Sequence, residues 1–142
     1  MYCGVNTTVL LGSSAPILVD INLILQYITF ILLIIGYIKR KPFKTHGYLM
    51  MVVLLITVGT TLLIMVPRLL YAFSIFGYVI IIHATIGIIA ILLGSLFAGR
   101  FILAIRNNKP LTCGTRNMMR LALLLWIIPI LAGTWIYTGY LV

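Results

Sequence analysis

Polar residues break this chain into four long apolar runs. A mildly apolar lead from Met1 to Pro16 comes first, and Gly12, Ser13, Ser14 and Pro16 break any helix there. The runs then cover about 17–38, 45–66, 77–99 and 118–137. Each is near the ~20 residues that a helix rising ~1.5 Å per residue needs to cross a ~30 Å hydrocarbon core. The pattern predicts an all-α protein: a four-helix transmembrane bundle, a single integral membrane domain over 1–142 with both termini on one side, which the charge pattern makes the outside.

The breaks differ in character. Lys39, Arg40, Lys41 and Lys44 surround Pro42 and predict a tight basic turn. Pro67 and Arg68 are expected to end the second span, leaving Leu69 to Phe76 as an aromatic connection at the membrane interface. Arg100 and Arg106 close the third span, and Lys109, Arg116 and Arg120 complete a second basic loop. In the last span Pro129 predicts a kink, and Tyr137 and Tyr140 read as anchors at its far end.

Composition sharpens this picture. Hydrophobic residues make up 63%, charged residues 8%, and mean hydropathy is +1.26. The formal charge of +9 comes from ten cations against one acid, Asp20. Such a balance can signal nucleic acid, but nine of the ten cations fall in two loops, which is the positive-inside pattern. No nucleic acid is therefore expected. Those loops face the cytoplasm on this reading, where they meet anionic lipids, and the N- and C-termini are extracytoplasmic in a cell (plasma) membrane. The lead has no basic stretch and makes a poor signal peptide. Asn6-Thr7-Thr8 matches a glycosylation pattern, which carries little weight alone. Cys3 and Cys113 lie on opposite sides of the membrane and are not expected to pair.

The third span carries the most unusual side chain. His83 is its one titratable group, and such groups are costly inside a bilayer. Gly87, Ala90, Gly94 and Ala98 recur at steps of three and four, a small-residue face for close helix packing. Helical rise puts His83 ~25 Å and Asp20 ~28 Å from the cytoplasmic edge, at similar height near the outer leaflet. An Asp20–His83 pair, with Asn22 nearby, is the candidate metal or partner site, and Arg68 is a competing partner for Asp20. His46 sits at the cytoplasmic edge instead. Two histidines so far apart do not ligate one haem iron, which disfavours a b-type haem within one chain. The methionine pairs Met50-Met51 and Met118-Met119 do not make a copper-binding cluster. No HExxH, GxSxG, phosphate loop or paired carboxylates are present, so no enzyme and no cofactor are expected, with copper or haem as the exceptions to test.

From about Pro16 to Tyr140 the chain resembles the CtaM/YozB-like family of four-helix membrane proteins. Asp20-Ile21-Asn22 is similar to its entrance motif, and Lys44-Thr45-His46-Gly47-Tyr48-Leu49-Met50 to its basic turn with a His and a Leu-Met pair. Tyr78 to His83-Ala84, then Arg120, Trp126, Gly133 and Tyr137, follow its later pattern. A further family His falls at Thr115 here, a departure that leans towards a scaffold role. The resemblance implies a part in making or supporting aa3-type haem–copper oxidases. The expected function is a non-catalytic accessory subunit or assembly factor of such an oxidase, or of a copper-dependent membrane monooxygenase. Its partners would be integral membrane subunits of that oxidoreductase complex. The alternatives are a b-type haem electron carrier and a small membrane transporter.

Overall fold

The computed structural model describes residues 17–39, 41–110 and 116–138. Among them there are helices and no strand: α1 (Ile17–Ile38), α2 (Phe43–Thr60), a π turn (Thr61–Met65), α3 (Val66–Phe76), α4 (Tyr78–Arg106) and α5 (Arg116–Thr138). Four stretches are long and apolar enough to cross a membrane: Ile17–Ile38, Phe43–Leu69, Tyr78–Arg106 and Asn117–Thr138. The chain is thus a four-helix, multi-pass membrane bundle. The Asn6 sequon, both cysteines and Tyr140 lie outside the described residues.

Helix continues through Pro67, and Leu69 to Phe76, expected as an aromatic connection, belongs to the helix α3. The π turn explains this. Thr61 N–H is shared between the carbonyls of Thr57 and Val58, and Val66 N–H reaches back five residues to Thr61. That wide turn takes up the place where proline's ring would meet the carbonyl four residues back, so Pro67 stands at the start of α3. The break comes at Gly77, whose φ of +56° suits a residue without a Cβ; its N–H donates to Phe73 O at 2.8 Å. Nor does Arg100 end the helix that carries the third span. α4 runs on to Arg106, since arginine is a good helix former and its long stem can carry the charge to the interface.

The spans form a ring in which α1 packs on α2, α2 on α4, α4 on α5, and α5 back on α1. α1 and α4 are therefore diagonal, as are α2 and α5. Three glycines set close approaches. A Cβ at Gly36 of α1 would collide with the Met50 methyl of α2, and one at Gly47 of α2 with the Phe101 ring of α4. At Gly94 of α4 it would lie 3.0 Å from Trp126 of α5 and 3.3 Å from Leu54 of α2. Leu33, Val53, Ala90, Trp126 and Ile130, drawn from all four spans, meet in a buried cluster. Large aliphatic side chains such as Ile31, Leu55, Leu92 and Leu131 point outward. Apolar side chains on the outside as well as in the core are expected where lipid is the solvent.

Candidate functional site

On α1, Asn22, Gln26 and Thr29 stand at steps of four and three, which puts them on one helix face. The ring turns that face inward. From the diagonal helix α4 comes His83, and α5 lies between with Gly133. A Cβ on Gly133 would be 2.8 Å from Gln26 Oε1 and 3.4 Å from His83 Cε1. Glycine at this point lets an amide and an imidazole from two other helices close on the α5 backbone.

These side chains line a cavity of about 250 Å³ together with Asn22, Thr60, Met65 and Arg68. Asn22 Oδ1, Gln26 Oε1 and His83 Nδ1 are buried and have no hydrogen-bond partner among the described residues. The neighbouring threonines supply none. Thr57 Oγ1 donates to Val53 O at 2.9 Å, and Thr60 Oγ1 to Thr57 O at 3.0 Å, so both hydroxyl protons stay on their own helix. An unpaired polar atom in the membrane interior costs several kcal/mol, so these three atoms are an unmet demand for a polar partner on the wall of a largely apolar cavity. Each amide can both donate and accept, and neutral imidazole does one of each. The site therefore suits water or a small neutral solute. At ~30 Å³ per water the cavity has room for several.

Asp20 and His83 stand apart on this map. Asp20 is fully buried, and its Oδ1 accepts the Tyr137 hydroxyl proton at 2.8 Å. Asp20 does not line the cavity that His83 lines, and no hydrogen bond or ion pair joins the two among the described residues. The ring explains the outcome: α1 and α4 are diagonal, and α5, adjacent to both, reaches Asp20 with Tyr137. Arg68 lines the cavity and makes no ion pair with Asp20 among the described residues. Tyr137, expected as an interfacial anchor, is 8% exposed and faces inward; Trp135 is the outward aromatic, at 62%.

A second cavity, of about 530 Å³, lies at the basic end, and His46 belongs to it. His46 Nδ1–H donates to Gly36 O at 2.8 Å, tying the start of α2 to the end of α1 across the basic turn. The two histidines thus face different cavities. Trp126 borders both, so the buried cluster around it separates them. The small-residue face of α4 is shared out inside the bundle. Ala90 is in the cluster, Gly94 touches Trp126 and Leu54, Ala98 lines the large cavity, and Gly87 lines the small one. Among the described residues no group of three or more His, Cys, Asp or Glu gathers.

The sequence reading missed Gln26. Its signal was the four-residue step from Asn22, which makes a polar stripe on an otherwise apolar helix. Comparison with known proteins adds no relative: no family model, no curated protein and no solved structure matches this chain.

Proposed function

We propose that this protein is a non-catalytic helical component of a larger membrane oxidoreductase complex, acting as an assembly factor or a permanent subunit. The complex would be a haem–copper terminal oxidase or a copper-dependent membrane monooxygenase, as the resemblance of the sequence implies. The observation that supports a scaffold role is the use made of polar groups between helices. Tyr137 ties α5 to α1 through Asp20, Tyr27 meets Thr134 at 3.4 Å between the same helices, and His46 ties α2 to α1. Such ties hold a bundle in one arrangement, while its outer faces stay apolar and open to lipid or other helices. On the charge pattern the basic end faces the cytoplasm of a cell membrane and both termini face out.

Affinity purification of the tagged chain from native membranes in mild detergent tests this reading. Oxidase or monooxygenase subunits should co-purify, and a deletion strain should lose part of that activity. Recovery of only unrelated abundant proteins, with both activities normal in the deletion strain, would remove the ground for it.

One observation favours a second reading. A cavity inside the membrane lined by Asn22, Gln26, His83 and Arg68 suits the binding site of a small-solute transporter. Solute-dependent flux in proteoliposomes, lost on Gln26→Leu, would favour transport over scaffolding.

A further inference from the structure

The larger cavity carries an inference independent of the role proposed above, because it concerns a different part of the bundle and a different kind of ligand. Its walls come mainly from α2, α4 and α5, with Leu33 and Tyr37 of α1 on one side, and its deep end is marked by Gly94 and Trp126. Arg100 stands about midway along it, with a stem long enough to carry its charge outward, and Asn107 and Lys109 stand at its shallow end. From Gly94 to Asn107 is thirteen residues, or ~20 Å along a helix. One leaflet of a ~30 Å hydrocarbon core is ~15 Å deep. The cavity is therefore as long as one acyl chain with its headgroup, and it runs in the direction in which a lipid of that leaflet lies. Its inner walls are apolar, with Met50 and Phe97 among them.

The charges at the mouth select among lipids. Arg100 and Lys109 are exposed, and no carboxylate pairs with either among the described residues. The chain's one acidic side chain, Asp20, is held by Tyr137 in the buried region bordered by the other cavity. Among the described residues no anion faces these cations, so the mouth is complementary to an anionic group. We infer that the cavity between α2, α4 and α5 binds an anionic phospholipid of the leaflet at the basic end. One acyl chain lies along α4 towards Trp126, and the phosphate lies against Arg100 and Lys109. Guanidinium and ammonium groups are both suited to phosphate, the first as a fork and the second as a point charge. A zwitterionic lipid offers the same tail, but its own cation opposes theirs.

Tryptophan fluorescence reads this directly. The chain has two tryptophans, of which Trp126 borders the cavity and Trp135 is exposed on the outer face of α5. Trp135→Phe leaves Trp126 as the sole reporter in the full-length protein, purified in a zwitterionic detergent. Phosphatidylglycerol carrying a dibrominated acyl chain should quench it saturably, and unbrominated phosphatidylglycerol should reverse the quenching. Arg100→Gln or Lys109→Gln in this background should raise the half-saturating lipid concentration roughly fivefold each, and the pair about thirtyfold. Filling the cavity with Ala122→Phe, or from the facing helix with Ala98→Leu, should abolish quenching in any variant whose circular dichroism stays helical. The competition experiment needs neither filling variant. Equal quenching by dibrominated phosphatidylcholine would overturn the proposal. So would quenching by a dibrominated free fatty acid where phosphatidylglycerol gives none, or quenching that persists in a folded filling variant.

Discussion

The hydroxyl of Tyr137 donates to Oδ1 of Asp20 at 2.8 Å across 117 positions of sequence, and so fastens the last helix of the bundle to the first. The acceptor is fully buried, so the bond is made where water cannot replace it.

Removing that hydroxyl should destabilise the bundle. Tyr137→Phe is expected to cost about 1–3 kcal/mol, the range for depriving a buried polar group of a partner. Asp20→Asn keeps an acceptor at the same place and should cost less. Thermal unfolding in detergent, followed by helical circular dichroism, measures both. A Tyr137→Phe protein that melts with the wild type would show the tie to be without weight.

The glycines should separate into two groups. Gly47→Ala drives a methyl into the Phe101 ring and should lose about 1–3 kcal/mol, as overpacking does. Gly36→Ala meets the flexible end of Met50 and should lose less. Gly59 and Gly87 are helical and have nothing within 4 Å of a built Cβ. Alanine there should stabilise by about 0.5–1 kcal/mol, through helix propensity alone. Parallel unfolding curves rank the four; a destabilised Gly59→Ala would contradict the open space around it.

The purified chain should show no reduced-minus-oxidised α band of the b type. His46 and His83 line separate cavities with the Trp126 cluster between them, so one iron does not reach both rings. A stoichiometric band that disappears on His83→Ala would mean that a second copy or another ligand completes the site.

Sidedness is tested on the two cysteines. On the positive-inside rule the loops that hold nine of ten cations stay in the cytoplasm, and Cys3 should then react with an impermeant thiol reagent in intact cells while Cys113 should not. The opposite labelling would invert the bundle.

The four spans were legible because each is a predominantly apolar run of membrane length, a signal that survives without any knowledge of neighbours. Their ends were less so. Pro67 and Arg100 look like stops in a linear reading, yet a π turn passes the first and a long arginine stem allows the second. The polar site was half legible. Asn22 and His83 stand out as polar residues in apolar helices, and Gln26 follows from helical spacing. Which groups meet depends on which helices are adjacent and which diagonal, and hydropathy does not encode that order. Matched depth suggested Asp20 and His83; the ring gave Asp20 to Tyr137 and turned His83 towards Gly133 and Gln26.

The π turn also sets an angular phase. One residue added to an α-helix rotates everything beyond it by ~100°, the angle each residue occupies at 3.6 per turn. Upstream of Thr61–Met65 the second span presents Val53 and Thr57 to the interior, and downstream it presents Arg68 to the small cavity. Deleting one residue within the turn would close it into ordinary helix and swing Arg68 about a quarter of the way round, off the cavity wall. A Leu62 deletion thus separates the cation from the Asn22–Gln26–His83 group while leaving every one of those side chains in the protein.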